Sequence, residues 1–152
     1  MALTVLENIS RNVLAAIQNI TQANGYDYTL NASRAVYKAN PQHLSAIIYQ
    51  ISPDDVQDAP TMTEEWRQLY SVVVYIRPVD GDNTPVDQIN NACIGAIHKE
   101  LQRDVTCGGF AIDTQPQPFI IFPPVEGEFG GFTYNFVVTY RTALDDPFTL
   151  AT

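Results

Sequence analysis

The sequence predicts an α+β fold, a two-layer sandwich in which two main helices pack on one face of a mostly antiparallel, mixed β-sheet. Three observations carry that expectation. Apolar residues recur at helical spacing behind Thr4 and again behind Thr84. Two longer stretches, 65–77 and 131–140, alternate β-branched and aromatic residues with period two instead. With weaker strand signals between them, the order is helix, two or three strands, a long strand, helix, a short strand and a final long strand. At 152 residues the whole chain, 1–152, reads as a single domain that can bury about two-thirds of its unfolded surface.

The first helix opens on Thr4 and Glu7, spaced as a capping box, with Leu3 in the staple position. Leu6, Ile9, Val13, Ala16, Ile17 and Ile20 form its apolar stripe, about five turns long, and Asn24-Gly25 stops it. Tyr26, Tyr28 and Leu30 then alternate like a strand. Asn31 to Ser33 reads as a bend, and Ala35 to Tyr37 resumes β structure before an Asn40-Pro41 turn. Residues 44–51 are apolar on both faces, so the expected cover is helices on one side and a neighbouring subunit on the other. Residues 52–62, with Pro53, Pro60 and three aspartates, read as a solvated acidic loop. Asp54, Asp55 and Asp58 lack the glycine and closing glutamate that an EF-hand loop needs.

The stretch 65–77 puts Trp66, Gln68, Tyr70, Val72, Val74 and Ile76 on one face, and pairs naturally with 131–140 as a long antiparallel ribbon. In the second helix Thr84 is the expected cap, Pro85 takes the first position and Asp87 faces the positive dipole end. Val86, Ile89, Cys93, Ala96, Ile97 and Leu101 are its stripe, and Gly95 offers a place for close approach of another element. Pro116, Pro118, Pro123 and Pro124 crowd the run from Phe119 to Phe122, which is therefore an edge strand or an interface segment rather than a central strand. The last long strand aligns Phe132, Tyr134, Phe136, Val138 and Tyr140, whose burial contributes on the order of 7–15 kcal/mol gross.

Composition narrows the function. Net charge is −9, from 17 acidic against 8 basic residues, which disfavours a phosphate-binding footprint. Only 16% of residues are charged, against about 25% in ordinary domains, as expected of a surface made for other protein chains. No apolar run approaches the roughly 18 residues of a membrane span, and the first residues lack a basic leader pattern. The expectation is a chain made in a cytoplasm and without membrane contact. Cys93 and Cys107 read as free thiols, Cys93 as a small buried hydrophobe and Cys107 in a turn without a fixed basic partner.

Little in the sequence points to chemistry. His43 lies in a polar loop beside Pro41, and His98 on the solvent side of the second helix. Paired metal ligands and phosphate-cradling loops are missing, and the carboxylate pairs Asp54/Asp55, Glu64/Glu65 and Asp145/Asp146 are adjacent in extended stretches and point apart. The reading is a non-enzyme with no catalytic residues, no cofactor and no metal.

The chain ends Val137-Val-Thr-Tyr-Arg-Thr-Ala-Leu-Asp-Asp-Pro-Phe148, a final strand running into a Tyr-Arg-Thr segment and an acidic Asp-Pro-aromatic tail. With the order of elements, this resembles the tail terminator proteins of long-tailed bacteriophages. The resemblance spans nearly the whole chain and implies a homo-oligomeric ring, commonly hexameric. That ring sits in the virion tail at the head–tail junction, caps the tail tube protein, ends its polymerisation and meets the head-completion or connector protein. DNA passes through without sequence-specific binding. The alternatives are another phage neck or tail-completion protein, or a small enzyme or ligand-binding domain. Interface candidates are Trp66, Tyr75, Phe119, Phe122, Arg141, Asp145, Asp146, Pro147 and Phe148. The segment from Arg141 to Phe148 is expected to reach outward to a neighbouring subunit.

Overall fold

The computed structural model describes residues 2–36, 41–59, 62–77, 79, 81–122 and 130–151, with the backbone alone from 52 to 59. It contains helices α1 (Val5–Gln18) and α2 (Val86–Arg103) and a seven-stranded sheet. The strands are β1 (Asn31–Arg34), β2 (Ser45–Ala59), β3 (Thr63–Ile76), β4 (Asp113–Pro116), β5 (Ile120–Phe122), β6 (Gly130–Ala143) and β7 (Asp146–Leu150). The path is β1-β2-β3-β6-β4, with β5 and β7 also paired to β6; β1 runs parallel to β2 and every other pairing is antiparallel. The expected α+β architecture is therefore the one observed.

Both helical stripes meet one face of this sheet. Ile9, Val13 and Ile17 of α1, and Ile89, Cys93, Ile97 and Leu101 of α2, join Tyr70, Val72, Val74, Phe132, Phe136 and Val138 in a single buried core. Tyr70 stacks on Phe136, with ring centroids 5.3 Å apart and planes at 12°. Buried aromatics need partners for their polar ends. The Tyr70 hydroxyl shares a 2.6 Å hydrogen bond with Ser10, and the Tyr134 hydroxyl one of 2.8 Å with His98 Nδ1. On the face away from the helices Ile47 and Val137 are also buried, whereas Tyr49 and Ile51 are exposed.

The long ribbon is the frame of the molecule. β3 and β6 pair without interruption from Thr63↔Ala143 to Ile76↔Gly130. Gly131 sits at φ 139°, and a Cβ there would run into the Val74 carbonyl oxygen of the facing strand, so the close approach of the two strands requires glycine.

Several expectations are corrected. The helix begins as read, with the Glu7 N–H donating to Thr4 Oγ1 at 3.0 Å. The Glu7 carboxylate does not close the capping box. It accepts both Arg34 nitrogens instead, at 2.7 and 3.1 Å, and Arg11 Nε at 3.2 Å. α1 stops at Gln18, because Thr21 caps a separate 3-10 turn, Gln22–Asn24, which Gly25 ends at φ 91°. Tyr26, Tyr28 and Leu30 lie outside any strand, and Asn31 to Ser33 is not a bend but part of β1. The expected return to β structure from Ala35 to Tyr37 fails at Ala35 and Val36, which lie outside any strand, and Tyr37 lies outside the described residues. Thr84 does not cap α2. Its N–H and hydroxyl are held by Asp82, and Pro85 is the capping residue without a side-chain bond. Gly95 meets no close neighbour.

The acidic loop at 52–62 is mostly strand. β2 continues to Ala59, with a bulge where 52–54 face Gln68 between the Ile51↔Leu69 and Asp55↔Arg67 pairs. The buried Gln68 amide fills this irregularity by donating to the carbonyls of Ile51 and Leu69. β7 is a further correction: the tail folds back as a hairpin on β6.

The second edge of β6 is covered end to end by short pieces, β5 against 131–133, β4 against 136–139 and β7 against 142–143. Gln117 N–H donates inward to the Asn135 carbonyl at 2.8 Å, so by strand alternation the backbone nitrogen of Pro116, the last residue of β4, faces outward. Proline has no hydrogen to offer there.

Candidate functional site

The interface candidates divide between the two ends of β6. At the Gly130 end, Tyr75 lies opposite Gly131, which is in turn opposite Phe122. Tyr75 is half-buried, and burial pushes its phenol above the ordinary range, with Tyr49 as a further cause. Phe122 is half-buried where β5 ends. Phe119, Ile120 and Ile121 are 48%, 59% and 47% exposed. Neighbouring residues of a strand point to opposite faces. This edge is thus apolar and in water on both sides, and the segment 114–122 contains no charged residue. The edge-strand reading of Phe119 to Phe122 is borne out in its structural part.

At the Ala143 end, Trp66 stacks on Tyr140 at 6.3 Å and 11°, and its indole N–H donates to Thr142 Oγ1 at 3.1 Å. Trp66 is thereby held within its own chain. Arg141 is likewise engaged: it bonds Glu65 through Nε and Nη2, both at 3.0 Å. Asp145 occupies the turn at φ 58°, and Asp146 accepts from the Phe148 N–H at 3.0 Å and the Thr149 hydroxyl at 2.5 Å. Those bonds, the Thr149 hydroxyl first, hold the Asp146 carboxyl below its usual range. Pro147 and Phe148 remain exposed.

Sequence reasoning took Ile120 and Ile121 only as part of the run from Phe119 to Phe122, and Leu144 only as part of the tail from Arg141, and it missed Met62; all four are exposed apolar residues. The signal for the first two was present, since two adjacent isoleucines in a proline-bounded edge strand cannot both face a core. Met62 and Leu144 gave no such signal, because only the fold brings their two turns together.

The remaining reactive groups are occupied or closed off. Burial raises the Cys93 thiol to about 12 and pushes Cys107 up as well. His43 Nδ1 accepts the Arg77 N–H at 3.1 Å. A cleft of about 180 Å³ between the helices is lined by Asn12, Asn19, Glu100, Arg103 and Asp104 among others. Its buried carboxylate, Glu100, accepts the Tyr26 hydroxyl and pairs with Arg103 at 3.2 Å, a network that ties the loop after α1 to α2. Among the described residues no group of three or more His, Cys, Asp or Glu could hold a metal ion, and no helix is long and apolar enough to cross a membrane. No protein-family model matches the chain, and no curated protein matches it.

Proposed function

We propose that the chain is a structural subunit that assembles into a ring of the tail-terminator kind. In this reading it caps the tail tube of a long-tailed bacteriophage, ends tube polymerisation and offers its free side to the head-completion protein. The observation that carries the proposal is the uncharged, doubly exposed edge from Phe119 to Ile121. An apolar strand edge of this kind marks a surface made for another chain. A head-to-tail ring also needs two different surfaces on one subunit, and the β5 edge is unlike the second candidate, the open sheet face where Tyr49 and Ile51 are exposed. The negative charge suits a passage through which DNA slides without being held.

The test is multi-angle light scattering with negative-stain imaging of the purified protein, alone and with tail tubes added. The expected result is a uniform oligomer with a central hole, lost in the double variant Ile120→Asp, Ile121→Asp while circular dichroism stays unchanged. A protein that stays monomeric at high concentration and in the presence of tubes would overturn the proposal.

A further inference from the structure

Two turns lie against each other at the Ala143 end of the sheet. One carries Met62, just ahead of β3; the other joins β6 to β7 and carries Leu144 and Asp145. The Leu144 N–H donates to the Met62 carbonyl at 3.1 Å, and the Asp145 N–H to the Glu64 carboxylate at 3.2 Å. Met62 and Asp145 both hold left-handed backbone, at φ 55° and 58°, so tertiary contacts rather than local preference fix these turns. The result is apolar surface in water. Met62 is 78% exposed, the highest value among the large hydrophobics of the described residues; Leu144, bonded to its carbonyl, and Phe148 of β7 are exposed as well.

The rim of this tip is acidic. Glu64, Glu65, Asp145 and Asp146 lie within three residues of the two turns, and Arg141 is already taken by Glu65. An exposed apolar centre within a net-acidic rim, four carboxylates against Arg141, is the arrangement that gives anchoring and steering separately.

We propose that this double-turn tip docks a basic segment of another protein, one that presents an apolar anchor flanked by lysines or arginines. Charge decides between occupants. A second copy would bring its own net charge of −9 to an acidic rim, and a nucleic acid would bring phosphates. A flanked basic segment neutralises the rim while Met62, Leu144 and Phe148 receive its anchor. The inference stands apart from the ring, because it uses the opposite end of β6 from the apolar edge.

The experiment titrates the full chain with a synthetic amphipathic peptide, a leucine face flanked by lysines, and with its glutamate-flanked counterpart. The expected result is amide shifts confined to 62–65 and 143–149 with the lysine peptide and none with the glutamate one. Met62→Ser with Phe148→Ser, and separately Glu64→Gln with Asp145→Asn, should each weaken binding about tenfold. Asparagine tolerates the left-handed turn at position 145, so the second pair keeps the fold. Asp27→Asn with Asp87→Asn, exposed acids elsewhere, should leave binding unchanged. The proposal is overturned if all three pairs weaken binding alike, which would mean attraction to net charge alone. It is also overturned if the shifts lie elsewhere, or if tip signals follow protein concentration rather than peptide, which would make the occupant a second copy.

Discussion

At its Gly130 end β6 lies beneath the helices, with Phe132 and Phe136 sealed from water; at its Ala143 end the same strand turns back among carboxylates, with Leu144 and Phe148 exposed. Both ends belong to one unbroken ladder with β3. What differs is the covering layer. Under α1 and α2 every second side chain is a core residue, so the alternating pattern is fixed by burial. Beyond Tyr140 only Thr142 of the described residues stays buried; α1 touches β7, but Leu144, Pro147 and Phe148 stand in water, free to serve recognition. The comparison predicts that substitutions of the β6 side chains beneath the helices change folding and those beyond Tyr140 change binding.

The largest test is Phe136→Ala, which removes the ring stacked on Tyr70 from the middle of the core. It should cost about 3–5 kcal/mol in urea denaturation, because the rigid sheet cannot collapse into the space. A cost under about 1 kcal/mol would show that the covered end is slackly packed. Gly131→Ala comes next, at about 3 kcal/mol, from left-handed strain and the collision with the Val74 carbonyl. Tyr70→Phe leaves Ser10 with only its 3.4 Å contact to Gln50 and should cost about 1 kcal/mol, read from the thermal midpoint.

Glu7→Gln probes the ion pair that fastens α1 to β1. The Arg34 hydrogen bonds hold the Glu7 carboxyl below its ordinary range. Its folded pKa is thus lower than its unfolded one, so the stabilisation is complete above the unfolded value and is lost as pH falls through the folded value. The variant should be less stable by under about 1 kcal/mol at neutral pH, with the gap closing on acidification. A gap that widened toward acid would refute that assignment. The smallest effect belongs to the far end. Phe148→Ser should change folding by less than about 0.5 kcal/mol, and a larger loss would show that β7 is part of the core after all.

The parts of this fold legible in the sequence were those where one physical rule acts alone. β3 and β6 were legible because period-two alternation of aromatic and β-branched residues has no other stable home. The stripes of α1 and α2 were legible for the same reason at helical spacing. The second half of β2 was not: Pro53 and its aspartates read as loop, but pairing with β3 overrides residue preference there. β4 and β7 were hidden because they are four and five residues long and contain proline, and only the free edge of β6 gives them a reason to be strands. The cap of α2 was misread because Asp82 competes successfully for the Thr84 hydroxyl. Of the candidate surface, Phe119 and Phe148 were legible as aromatics without a stripe to join. Trp66 and Arg141 were not separable from them until their partners, Tyr140 and Glu65, were in place.

The outward-facing nitrogen of Pro116 bears on how an assembly built on this edge would correct its errors. Strand addition along that edge would zip two chains together through backbone bonds that accept almost any sequence and release slowly. With the donor missing there, strand addition is interrupted beside the apolar edge, and side chains of matching shape would carry more of a neighbour's hold. In a ring of such chains a misplaced subunit would then let go before a well-placed one.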